Sequence, residues 1–212
     1  MSLTRELSES LEQGDAGRVA ELTRAAITSG LPPKTILEDG LIAGMTRVGE
    51  KFKTHEIFLP DVLLAARAMV AGMELLKPLL AREGVRTLGK VIIGTVQGDL
   101  HDIGKNLVAI LLKGAGFEVI DLGNDVSPQR FVDTAEREGA DVVGLSALLT
   151  TTMPVMKQVV DLARERRLHE RTRIIVGGAP LSADYAREIG ADAYCYDGSS
   201  AVECVKKILG KS

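Results

Sequence analysis

Apolar residues in the first third of the chain return every three or four positions, the spacing that gathers side chains on one face of an α-helix. Leu3, Leu7 and Leu11 form one such row, and Val19, Leu22 and Ile27 form a second that ends at Gly30. Between them, Gln13-Gly14-Asp15 supplies a helix stop followed by an N-cap. Pro32 and Pro33 suit the first turn of a third helix, whose row is Leu37, Leu41, Met45, Val48 and Phe52. Pro60 opens a fourth, with Val62, Ala65, Met69, Met73, Leu76 and Leu80 as its row. The pattern predicts an N-terminal four-helix bundle over residues 1–84, a module that on its own would serve stability or dimerisation.

Beyond residue 89 the pattern changes. Short β-branched runs predict strands at 91–96, 117–122, 141–146, 173–176 and 193–196, separated by helical stretches at about 103–114, 128–139, 152–167, 182–190 and 200–209. Five βα units in series imply an α/β domain over residues 90–212, with a doubly wound five-stranded parallel sheet. In the flavodoxin-like (Rossmann-like) order 2-1-3-4-5, the topological switch lies between the first and third strands, and a ligand binds at the strands' carboxyl ends. That directs attention to residues 97–104, 146–152 and 177–180. Residues 85–89 read as a linker, part of a polar stretch from Ala81 to Gly89 framed by Gly84 and Gly89.

Composition narrows the function classes. The first 88 residues hold 11 basic and 12 acidic side chains and the rest 15 and 17, so neither half is a polycation suited to nucleic acid or an anionic membrane. Aromatic residues are 3% of the chain, too few for base-stacking platforms. No apolar run approaches the ~18 residues of a membrane span, and residues 1–13 read as a polar helix rather than a signal peptide. Cys195 and Cys204 make no disulfide framework, so a soluble cytoplasmic protein is expected.

The chemistry lies at the predicted strand ends. The first ends in Gly98-Asp99-Leu100-His101-Asp102-Ile103-Gly104, which is neither a G-x-G-x-x-G turn nor a phosphate-cradling G-x-x-x-x-G-K-[ST] loop. On an extended segment a carboxylate two residues before an imidazole points the same way. Asp99 could therefore hold one ring nitrogen of His101 and leave the other for a metal, although a solvated or structural histidine would look the same. His55 and His169 lie in remote segments, so a protein-built cage is short of ligands. One imidazole backed by a carboxylate suits a metal whose remaining ligands belong to a macrocycle. A hydrolytic role, with His101 and Asp99 serving Ser146, lacks the G-x-S-x-G elbow. The third strand ends in Ser146-Ala147-Leu148-Leu149-Thr150-Thr151-Thr152, whose hydroxyls would either cap the next helix or face a ligand. The fourth ends in Gly177-Gly178, either a turn or a backbone surface that a bulky ligand can approach.

These three segments together resemble the cobalamin-binding modules of corrinoid-dependent methyltransferases. The family's D-x-H-x-x-G stands as Asp99 to Gly104, its S-x-L as Ser146-Ala147-Leu148 and its G-G as Gly177-Gly178. Val48-Gly49-Glu50-Lys51-Phe52 and Phe58-Leu59-Pro60 look like its helical cap, so the resemblance covers nearly the whole chain. The layout is similar to the free-standing corrinoid proteins of methanol, methylamine and methoxy-aromatic systems, and to the cobalamin-binding region of methionine synthase.

The resemblance implies cobalamin or a related corrinoid as cofactor, with His101 as the lower axial ligand of cobalt in place of the cofactor's own benzimidazole. Asp99 would bond the far nitrogen of His101, and Thr152, where the family has serine, would complete a proton relay. Ser146, Leu148, Gly177 and Gly178 would border the nucleotide tail. Gly98, Leu100, Asp102, Ile103, Gly104 and Thr150 would complete the cofactor-binding set, and Phe58 and Leu59, or equally Met45 and Phe52, would cover the upper face. The implied activity is methyl carriage between a donor-side and an acceptor-side methyltransferase, maintained by a reductive activase and without turnover of its own. A cobalamin-dependent sensor and the small subunit of a carbon-skeleton isomerase use similar motifs. A transcriptional sensor would add a DNA-binding element, of which the near-neutral first 88 residues show none, and the isomerase subunit would not need the cap.

Overall fold

The computed structural model describes residues 2–211. The chain divides between Thr87 and Leu88 into two compact units, with residues 114–116 grouping with the first.

The first unit is helical. It runs through α1 (Leu3–Glu12), α2 (Ala16–Thr28), a single turn α3 (Pro33–Thr35), a π-helical segment (Ile36–Ile42), α4 (Ala43–Lys53) and α5 (Leu59–Arg82). The stop between α1 and α2 forms as its residues dictate. Asp15 Oδ1 accepts from Arg18 N at 2.9 Å, and Gly14 sits at φ +72°, where a Cβ would come within 2.6 Å of Leu64 Cβ. Leu7, Leu11, Val19, Leu22, Val62, Ala65, Met69 and Leu76 are buried and form the seam between the helices.

The third helix departs from the sequence expectation. Ile36 and Leu41 are fully buried while Leu37 and Phe52 are only half-buried, and the five-residue step from 36 to 41 spans the π turn. The widened turn advances the register by one residue, so Gly40 and Gly44 face α1. A Cβ there would come to 2.6 Å from Leu7 Cδ2 and 2.8 Å from Ser8 O respectively. Close helix contact through two glycines sets this register, which apolar spacing alone does not reveal. On α5 the buried row likewise passes through Gly72 rather than Met73, because Leu41 occupies the space a Cβ at Gly72 would need.

The second unit alternates β1 (Lys90–Thr95), α6 (Ile103–Gly114), β2 (Glu118–Asp121), α7 (Pro128–Glu138), β3 (Val142–Ser146), α8 (Met153–Glu165), a 3-10 turn (Leu168–Glu170), β4 (Arg173–Gly177), α9 (Ala183–Ile189), β5 (Ala193–Cys195) and α10 (Gly198–Ile208). All pairs are parallel and the order is β2-β1-β3-β4-β5, as expected for a flavodoxin-like sheet. The buried core includes Ile92, Val143 and Val176 from the strands, with Phe131 and Met156 from the helices. Gly94 lets the Phe131 ring lie against β1, since a Cβ would meet that ring at 2.8 Å. Register aligns Thr95 with Ser146, Ser146 with Gly177, and Gly177 with Cys195, so four strands end in one row. The loops that follow therefore open on a common edge.

Candidate functional site

Asp99 lies at the centre of that edge and is completely buried. A buried ionised carboxylate is tolerated only when its oxygens are hydrogen-bonded, and here five donors converge on it. Oδ1 accepts from the backbone N–H of His101 at 3.0 Å and pairs with His101 Nδ1 at 2.8 Å. Oδ2 accepts from the N–H groups of Leu148 at 2.7 Å and Leu149 at 3.2 Å, and lies 3.0 Å from Thr152 Oγ1. Burial works against ionisation of Asp99. The N–H groups of Leu148 and His101, the His101 ring and the Thr152 hydroxyl outweigh it and hold the carboxyl well below the usual carboxylate range.

An ionised carboxylate only accepts, so His101 Nδ1 carries the proton in this pair, and in the neutral ring that tautomer leaves the lone pair on Nε2. The ring is 53% exposed while its carboxylate partner is sealed off. Thr152 is the residue preceding α8, yet its hydroxyl makes no cap bond to that helix. It reaches Asp99 Oδ2 and, at 2.9 Å, the carbonyl of Leu149. Its one proton serves these acceptors in turn. Thr150 is exposed and lies outside this cluster of bonds, and Ser146 is half-buried at the end of β3.

Two contributors were not expected from the sequence. Leu149 donates through its backbone, which no side-chain pattern announces. Thr95, fully buried, bonds the carbonyl of His101 at 2.9 Å; a hydroxyl within an apolar strand run was the available signal. Lys105 is another polar group placed inward, with Nζ 2.5 Å from Asp121 Oδ2 and 2.6 Å from Asn106 Oδ1, tying the first turn of α6 to the end of β2. The double glycine has a reason within the fold. Gly178 lies at φ +142°, and a Cβ there would stand 1.8 Å from the Ala147 carbonyl oxygen. Phe58 and Leu59 belong to the helical unit, at the start of α5, where Phe58 N donates to Asp61 Oδ2 at 2.8 Å and the Phe58 side chain is exposed.

A B12 binding domain matches residues 89–206, more than half of the chain, and a second domain of the same description matches residues 3–77. The chain belongs to the cobalamin-binding corrinoid proteins. It is 42% identical to a corrinoid protein of Desulfitobacterium hafniense strain Y51, across 100% of this chain and 99% of that one. It is 43% identical to dimethylamine corrinoid protein 1 of Methanosarcina acetivorans, covering 95% and 98%. Among solved structures, it aligns with a chain of the methanol:cobalamin methyltransferase complex of Methanosarcina barkeri at a TM-score of 0.88 and 30% identity, over 99% of this chain and 80% of that one.

The cofactor of a corrinoid protein is cobalamin or a related corrinoid, and the residues at the sheet edge fit it. Among the described residues no three His, Cys, Asp or Glu side chains gather as a metal cage, so a lone imidazole suits a metal already held by a macrocycle. Large apolar side chains are left exposed around the Asp99 and His101 pair: Leu100 by 69%, Ile103 by 72%, and Leu148 and Leu149 by lesser amounts. An exposed apolar collar of this kind marks a ligand surface. At Gly104, in the first turn of α6, a Cβ would meet nothing within 4 Å, which leaves the backbone open to approach.

Among the described residues no helix is long and apolar enough to cross a membrane.

Proposed function

We propose that this corrinoid protein is a methyl carrier that binds cobalamin base-off and His-on, with His101 Nε2 on cobalt, and passes a methyl group between two methyltransferases. One is a substrate:corrinoid methyltransferase, and the other delivers the group to tetrahydrofolate or a thiol. A reductive activase would restore the carrier. The observation that carries this reading is the His101 ring, held through Nδ1 by a buried carboxylate and exposed on its other side.

When bound, cobalt supplies the nucleophile that accepts the methyl group and the leaving group that surrenders it. The residues manage its lower side. Asp99 fixes the tautomer and orientation of His101. Were His101 released from the metal, Nε2 would be free to take a proton, with the Asp99 carboxylate and the Thr152 hydroxyl placed behind the ring to stabilise the imidazolium. Ser146, Leu148, Gly177 and Gly178 would border the nucleotide tail, and Thr150 with residues 98–104 would frame the corrin. Residues 1–84 would serve as the cap, Phe58 and Leu59 being its candidate cofactor contacts, and residues 85–89 as the linker. Relatives named for dimethylamine and trimethylamine, and a structural match named for methanol, support a small methylated compound as donor.

Electron paramagnetic resonance of the cobalamin-loaded protein with paramagnetic cobalt tests the reading. Protein carrying 15N-histidine should show the nitrogen splitting change from three lines to two, and His101→Ala should lose the protein-derived splitting. An unaltered pattern in both would overturn His-on binding.

A further inference from the structure

Besides Asp99, a second carboxylate is committed to the loop that carries His101. Asp125 lies between β2 and α7 and holds φ +53°, in the left-handed region that a residue with a Cβ seldom adopts. Among the described residues only His55 and Arg167 share that trait without being glycine, and neither lies at the carboxyl edge of the sheet. Non-glycine residues in this region persist where surrounding bonds enforce them.

The bonds of Asp125 all run to one place. Its backbone N–H donates to the Asp99 carbonyl at 3.1 Å, and its Oδ1 accepts from Gly98 N at 2.8 Å. It therefore holds the two-residue segment Gly98–Asp99 at both ends, through the N–H of Gly98 and the carbonyl of Asp99. A carboxylate just before a helix commonly caps that helix, but α7 is capped by Ser127, whose hydroxyl accepts from Arg130 N. The Asp125 side chain is thus free of that duty. Its neighbour Asn124 donates from Nδ2 to the Leu100 carbonyl at 3.4 Å. The position of the Asp99 main chain sets the position of its carboxylate, and that carboxylate holds both the backbone and the ring of His101. A tilt of the Gly98–Asp99 segment is transmitted to the imidazole.

We propose that Asp125 is a positioning residue for His101, holding the Gly98–Asp99 segment so that Nε2 is presented in one orientation. The proposal rests on the reading of His101 as the cobalt ligand. Asp125→Gly removes the acceptor while relieving the left-handed backbone, so the variant folds. Asp125→Asn keeps an acceptor and tolerates the conformation. In the full-length protein without cofactor, amide hydrogen exchange of Gly98 and Asp99 should quicken about fivefold in Asp125→Gly and return to the parent rate in Asp125→Asn. In the cobalamin-loaded protein, the fraction of paramagnetic cobalt with histidine splitting should fall in Asp125→Gly and recover in Asp125→Asn. His101→Ala is measured beside them. If it abolishes the splitting while Asp125→Gly matches the parent in both measurements, the positioning role is overturned and the ligand assignment stands. If His101→Ala leaves the splitting unchanged, the ligand assignment fails and the role of Asp125 fails with it.

Discussion

Asp99 Oδ1 takes two hydrogen bonds from His101, one from the backbone N–H at 3.0 Å and one from ring Nδ1 at 2.8 Å, so the loop and the imidazole are fixed by the same atom. Its other oxygen is held by Leu148, Leu149 and Thr152 across the sheet edge. The carboxylate thereby joins the ends of β1 and β3. Asp99→Asn would replace one acceptor oxygen by a donor facing donors, whichever way the amide turned. The variant should lose about 1–3 kcal/mol in urea unfolding. With cobalamin bound, cobalt should be reduced at a less negative potential, because the charge behind the ligand is gone. A variant equal to the parent in both respects would show the network to be idle.

Thr152→Val and Thr152→Ser separate the hydroxyl from the packing. The folded state depresses the Asp99 carboxyl below its unfolded value of about 3.9, so this stabilisation is complete above that pH and is lost as pH falls through the folded value. Thr152→Val should cost about 1 kcal/mol at neutral pH. The deficit should persist to about pH 3, because Asp99 stays ionised in the folded state well below the usual carboxylate range, and Thr152→Ser should retain most of the stability. Urea titrations at neutral pH and at about pH 3 measure both.

Gly178→Ala should be among the most damaging single methyl additions. The new Cβ would meet the Ala147 carbonyl at 1.8 Å, and φ +142° is foreign to residues with a side chain. A loss of about 3 kcal/mol or more is expected in thermal or urea unfolding, as for other combined strain and overpacking.

The two cysteines should react unequally. A hydrogen bond from Cys195, assisted by Lys207 and opposed by burial, brings the Cys204 thiol down to about 7, whereas the hydrogen bond and burial push Cys195 up. Iodoacetamide should modify Cys204 first, at a rate that rises with pH through about 7, and peptide mass mapping would show it. Equal labelling of both would contradict this.

Brief trypsin treatment should cut first at Arg82 or Arg86. Both are exposed, and residues 83–89 lie outside helix and strand. The large fragment beginning near Leu88 should still bind cobalamin. First cuts within the sheet unit would remove the linker from the proposed architecture.

Much of this arrangement was legible in the sequence. Periodicity located the helical rows and the five strands, because burial on one face leaves a 3.6- or 2-residue signature. Three short motifs placed Asp99, His101, Ser146 and Gly177 at neighbouring strand ends, since in a parallel sheet carboxyl ends share one edge. The local pairing of Asp99 with His101 followed from a two-residue spacing. What tertiary structure alone decided involves residues far apart in sequence. The π turn at Ile36–Ile42 answers to Gly40 and Gly44 pressing on α1, so its register depends on a partner helix. The bond of Thr152 to Asp99, 53 residues away, takes a hydroxyl that local propensity would assign to a helix cap; the family resemblance pointed to it, whereas the residue pattern by itself left both uses open. Leu149 contributes a backbone N–H, and Asp125 a side chain and a strained φ, and neither carries a pattern of its own. Sequence periodicity records which face is buried, whereas the direction of a single hydrogen bond is set only when the strand ends meet.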